Sequence, residues 1–109
     1  ETMVRHKPRL LVLDGFAGAR SFASGDREYA HFLLELSALV YAAGCTALLL
    51  STATDRLPHE QHALVDGVIE LSTAAFGVRR IREIEVCKLR GGNPIPGRHA
   101  FAITDHGIH

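Results

Sequence analysis

Two strongly apolar runs constrain this chain more than any other feature: "LLVL" at 10–13 and "CTALLLST" at 45–52, with its aliphatic stretch at 47–50. A strand that is apolar at every position, rather than at alternate ones, is the pattern of a parallel sheet covered by helices on both faces. Between the runs, Tyr29, Phe32, Leu33, Leu36, Val40 and Ala43 recur at steps of three and four, which predicts an amphipathic helix. Asp26 is a good N-cap for that helix, and Gly44 is placed to terminate it. Strand, helix and strand in this order fold by default as a right-handed crossover between parallel strands, so the class is α/β.

The flanking sequence fills in the rest. Residues 1–7 read as the tail of a helix stopped by Pro8, so the chain is expected to begin within a structure. "GFAGARSFASG" at 15–25 reads as a loop, and "ATDRLPHEQHALVD" as a polar, proline-broken loop or loop-helix. "GVIELS", a turn near "AAFG" and then "RRIREIEVCKLR" predict two strands joined by a short connection; "FAIT" and "DHG" predict a last strand and turn. With 109 residues, 47% of them hydrophobic, the chain can build one modest core, so residues 1–109 are read as one domain or part of one.

Composition narrows the partners. Twelve basic and twelve acidic side chains cancel, which indicates neither nucleic acid nor an anionic membrane as an obligatory partner. No apolar stretch approaches a membrane span and no charged-then-apolar leader opens the chain, so a soluble, cytoplasmic protein is expected. Cys45 and Cys87 fall in strand-like segments and are expected to be buried and reduced. "HEQH" at 59–62 is one residue short of the zinc-protease spacing and reads as a solvated polar loop.

Two places carry chemistry. The first aliphatic run ends on Asp14, at what would be the functional edge of a parallel sheet. An acid there can serve Mg²⁺, accept a phosphoryl group or cap a loop amide; the companion acids of a phospho-acceptor do not precede it. The second is "CKLRGGNPIPG": strand alternation would place Ile84, Val86, Lys88 and Arg90 on one face and Glu85, Cys87 and Leu89 on the other. A lysine and an arginine projecting together from a rigid strand end suit phosphate oxygens, and the competing reading is a solvated strand end with incidental charges.

"CKLRG", a short glycine and proline loop and "FAITDHGI" resemble the carboxy-terminal strands of the KaiC-like branch of RecA-superfamily ATPases. "LLVLD" is similar to that family's Walker B strand, "ALLLST" to its next core strand, and "VDGVIEL", with its acidic lead-in, to the strand after that. The resemblance implies a partial RecA-like P-loop NTPase fold, parallel core strands followed by carboxy-terminal antiparallel strands. It implies Asp14 as the Walker B acid acting on Mg²⁺ through water, and Ser51 and Thr52 ending their strand beside the phosphates. Lys88 and Arg90 match a K-x-R pair that reaches the neighbouring subunit's nucleotide, and Asp105 in "TDHG" would lie near that neighbour's ribose or base. ATP and Mg²⁺ are the implied cofactors of an intact parent, and a self-associated, hexameric ring its implied assembly, with a protein partner left open.

The sequence also departs from the family pattern. Gly15 stands where a hydroxyl often follows the Walker B acid, and Ala53 where an acid often follows the paired hydroxyls. No G-x-x-x-x-G-K-[ST] phosphate cradle occurs in the 109 residues. A truncated piece, a longer parent only partly present and a natural half-domain all fit that observation, and the chain alone is expected to hold no nucleotide tightly. Two functional readings follow: the carboxy-terminal half of an ATP-hydrolysing, ring-forming protein, or a non-catalytic signalling or oligomerisation module on the same fold.

Overall fold

The computed structural model describes residues 5–14, 26–52 and 59–109. The chain falls into two compact units, Glu1–Val65 and Asp66–His109.

In the first unit, β1 (Leu10–Leu13) and β2 (Thr46–Leu49) pair in parallel, Leu10 opposite Thr46 through Leu13 opposite Leu49. Helix α1 (Asp26–Ala42) lies between them in sequence, as its three- and four-residue apolar spacing predicts. The buried stripe is narrower than the apolar pattern: Tyr29 and Leu33 are 3% and 1% exposed, while Phe32 is exposed. Leu49 of β2 and Leu64 pack against these two side chains.

Gly44 ends the helix with φ 62°, a conformation that costs a residue with a Cβ. The Cys45 N–H donates to Val40 O at 3.0 Å and the Gly44 N–H to Tyr41 O at 3.1 Å, the paired bonds of a Schellman cap. That cap turns the chain straight into β2.

The expected cover on both sheet faces is realised on one. Among the described residues, Leu11, Leu13, Ala47 and Leu49 form the half-buried face, and Leu10, Val12 and Leu48 stay exposed on the other. Only Arg5 and His6 of the expected opening helix are described as helical. The loop reading of 15–25 lies outside the described residues, and so do Gly15 and Ala53. A 3-10 helix, His59–Leu64, runs through "HEQH", the helical part of the loop-helix alternative read for this stretch and not a plain polar loop.

In the second unit, β3 (Gly67–Phe76) and β4 (Arg79–Leu89) form a long antiparallel hairpin, and β5 (His99–Phe101) adds to β4. The turn is Gly77–Val78, with φ 59° at the glycine and no positive φ at Val78, the φ pattern of a type II′ turn, whose twist matches that of the strands. The predicted last strand "FAIT" divides at Ala102. Its first part joins β5, while β6 (Ile103–Thr104) pairs with β7 (Gly107–Ile108) in a separate two-stranded ribbon. Ala102 and His109 close that ribbon by exchanging backbone hydrogen bonds at 2.9 and 3.0 Å.

Neither cysteine forms a disulfide, and Cys45 is buried as expected. Cys87 is exposed, contrary to expectation: it is the extra residue of a β-bulge, in a unit none of whose described side chains is buried. No helix among the described residues is long and apolar enough to cross a membrane.

Candidate functional site

The parallel pairing brings three sequence-predicted residues to one edge. Leu13 and Leu49 are the last paired residues, and the Leu50 N–H extends the ladder to Leu13 O at 2.9 Å. Asp14 therefore leaves β1, and Ser51 and Thr52 follow β2, at the same carboxyl end. All three are exposed there. In an open α/β sheet this is the edge where ligands bind, because the loops diverge from it and the strand directions agree. The donor set is one carboxylate and two hydroxyls, all hard oxygens. That chemistry fits Mg²⁺, which is commonly held by one or two carboxylates together with substrate phosphates and water. Among the described residues no group of three or more His, Cys, Asp or Glu side chains is arranged to hold a metal by itself.

In the second unit the structure corrects the facing of the cations. The β3–β4 register pairs Ile69 with Val86 but Val68 with Lys88, so Cys87 enters β4 as one residue more than β3 supplies. Directly paired residues project to the same face. Leu71 with Ile84 and Ile69 with Val86 thus define one face, and Ser72 with Glu83 and Glu70 with Glu85 define the other. Lys88, paired with Val68, lies on the glutamate face, and Arg90 follows it there. Simple alternation puts Lys88 and Arg90 beside Ile84 and Val86; the bulge reverses this by breaking the period of two. The two cations still share a face.

Their surroundings are acidic and partly ordered by ion pairs. Arg90 Nη1 lies 2.9 Å from Asp66 Oδ1, and the Arg90 N–H donates to Asp66 O at 2.7 Å. Arg98 reaches back from the proline-bounded loop to both strand glutamates, Nη1 to Glu83 Oε2 at 3.6 Å and Nε to Glu85 Oε2 at 3.5 Å. Glu83 Oε2 is buried and makes no hydrogen bond, so the Arg98 charge is what compensates it. The Cys87 thiol points at Glu70 Oε2, 3.9 Å away.

Asp105 sits in the turn between β6 and β7, exposed. Thr104 organises that turn: its Oγ1 accepts from the His106 N–H at 3.2 Å and donates to Gly107 O at 3.3 Å. Asp105 belongs to this ribbon and not to the hairpin sheet that carries Lys88 and Arg90.

Sequence reasoning missed the role of Asp66, which it noted only as the acid leading into a strand, and it missed Arg98 with its two glutamates. The signal for the second group was present. Glu83 and Glu85 are two apart on one strand, and an arginine directly precedes the strand that returns beside them.

A family model described as "ATPase: KaiC" matches residues 1–109. The circadian clock oscillator protein KaiC of Synechococcus elongatus is 46% identical over 44 residues, which are 40% of this chain and 8% of that protein. Among solved structures, the KaiC-like protein PH0186 from Pyrococcus horikoshii superposes with a TM-score of 0.72 at 22% identity, over 92% of this chain and 45% of that one. The superposition shows a shared RecA-type α/β fold, a parallel strand pair with antiparallel sheets. The chain spans less than half the length of either relative.

Proposed function

Because the chain belongs to the KaiC ATPase family, we propose that it supplies the carboxy-terminal portion of an ATP-hydrolysing, ring-forming domain. The observation that carries this reading is the convergence of Asp14, Ser51 and Thr52 at the carboxyl end of two adjacent parallel strands. Mg-ATP, when bound, supplies the reacting phosphoryl group with much of its charge already neutralised. Asp14 orders the water shell of the ion from the end of β1. The hydroxyls of Ser51 and Thr52 hydrogen-bond at the phosphate side of the same edge. Lys88 and Arg90 act in trans, placing positive charge against the phosphoryl oxygens of a neighbouring subunit's nucleotide. Asp105 lies against that neighbour's ribose or base. The phosphate cradle is not among these 109 residues, so this residue set works only together with a P-loop.

Gly15 and Ala53, which replace a hydroxyl and an acid of the family pattern, support a second reading, a non-catalytic signalling or oligomerisation module. Mixed rings of the full-length protein separate the two. One subunit carries Arg90→Ala with an intact P-loop; the other lacks the P-loop lysine and keeps Lys88 and Arg90. In favourable cases an arginine supplied in trans contributes about 10³ to 10⁵ in rate; here, with a lysine sharing the role, a loss of about tenfold is expected for Arg90→Ala. Mixed rings should be more active than the sum of the two parents. Activity equal to the sum of the parents, despite proven subunit exchange, would remove the trans role. A wild-type protein with no hydrolysis at all would favour the module.

A further inference from the structure

Arg90 leaves the hairpin held at two points by one residue. Its backbone N–H donates to Asp66 O at 2.7 Å, and its Nη1 donates to Asp66 Oδ1 at 2.9 Å. Asp66 immediately precedes β3 and Arg90 immediately follows β4, so the pair closes the open end of the hairpin as the Gly77–Val78 turn closes the other. The register that joins them is not the one the turn would set. Continuing the pairing of Phe76 with Arg79 without interruption would bring Asp66 opposite Leu89; the bulge at Cys87 advances β4 by one and brings Arg90 there instead. One irregularity thus sets both which face carries Arg90 and which residue meets it.

An ion pair this open, with the side chains 62% and 85% exposed, contributes little to stability, about 0.2–1 kcal/mol in measured cases. Its larger effect is on freedom of movement. A long arginine side chain gives up substantial rotamer entropy on being fixed, and a planar guanidinium recognises phosphate only in a set orientation. A carboxylate that fixes the fork in advance removes part of that cost from the step in which the cation is used.

We propose that Asp66 is the positioning residue of Arg90, holding its guanidinium in the orientation in which it meets the phosphoryl oxygens of a neighbouring subunit's nucleotide. This rests on the trans-acting reading of Arg90 given above. Asp66 touches no substrate itself and acts through the arginine.

The test uses the full-length protein with Asp66→Ala, Asp66→Asn, Arg90→Ala and the Asp66→Ala/Arg90→Ala double variant. Without nucleotide, side-chain NMR of Arg90 reads rotation about its Nε–Cζ bond. Asp66→Ala should speed it severalfold, and Asp66→Asn, which keeps an oxygen acceptor, should leave it near the wild-type rate. In turnover, Asp66→Ala should lower kcat by about three- to tenfold with KM for ATP within about twofold, as expected when only orientation in the transition state is lost. Asp66→Asn should recover most of that loss. The double variant should be no slower than Arg90→Ala alone, because the two residues act as one unit.

Unchanged Arg90 motion in Asp66→Ala, or losses that multiply in the double variant, would overturn the proposal. An Arg90→Ala variant with wild-type turnover would overturn the trans-acting reading and the kinetic half of the proposal with it. The NMR comparison would in that case still decide whether Asp66 fixes Arg90.

Discussion

Leu33, in the first unit, is 1% exposed and packs with Tyr29, Leu49 and Leu64, side chains drawn from a helix, a strand and a 3-10 helix. No described side chain of the second unit is buried, and Ile69 and Leu71 on its long hairpin are 63% and 66% exposed. Within each unit, then, order has a different source. The first is built on burial between elements distant in sequence; the second is built on a continuous hydrogen-bond ladder between neighbouring strands, with ion pairs along one face. The two kinds of order present different groups. The parallel pair gathers an acid and two hydroxyls at a strand edge, and the hairpin fixes two cations by register.

The largest effect should come from attacking burial. Leu33→Ala is expected to cost about 2–5 kcal/mol, the range for truncating a buried leucine, whereas Ile69→Ala should stay within about 0.5 kcal/mol. Denaturant titration of the full-length protein measures both. Equal costs would erase the contrast between the units and imply that the hairpin face is buried in the intact molecule.

Register offers a sharper test of the second unit. Inserting one alanine between Val68 and Ile69 gives Cys87 a residue to oppose and restores strict alternation, which moves Lys88 and Arg90 to the face of Ile84 and Val86. Turnover should then fall about as far as in Arg90→Ala, about tenfold, for the same loss of charge at the phosphates. Deleting Cys87 removes the bulge from the other strand and leaves both cations on the glutamate face, so activity should largely survive. The reverse ranking of the two variants would show that the bulge does not govern where the cations act.

The smallest effect concerns the loop. Arg98→Ala leaves Glu83 Oε2 buried without a compensating charge. The arginine is itself more than half exposed, so the cost should fall between those of surface and buried pairs, about 1–2 kcal/mol. Arg98→Lys should recover only part of it, since one ammonium cannot present two separate nitrogens to Glu83 and Glu85. A thermal melt in which Arg98→Ala matches wild type would show that the return loop holds without these ion pairs.

Much of the fold was legible because its signals are local. Strongly apolar runs mark β1 and β2, three- and four-residue spacing marks α1, and Gly44 marks a helix end that needs a left-handed residue. The strand–turn–strand pattern of the second unit was legible too, and so was the family resemblance of the chain. What was not legible is parity beyond Cys87. Alternation is a rule for one strand, whereas a bulge is a mismatch between two, so the sequence of β4 alone cannot reveal that β3 offers one residue fewer. The division of "FAIT" has the same origin: its first residue, Phe101, finds β4 as a partner and its last two find β7.

The sequence by itself determined the α/β class, the order and approximate limits of the elements, and the residue types at each strand end, because propensity, capping and apolar period act over a few neighbouring residues. Tertiary structure alone decided that Lys88 and Arg90 stand among glutamates and not beside Ile84 and Val86, that Asp66 takes hold of Arg90, and that Arg98 compensates the buried oxygen of a half-buried carboxylate. Each of these depends on which residues of separate strands lie opposite one another, and that pairing is set by the hydrogen-bond register between strands, a property of two segments that neither one encodes alone.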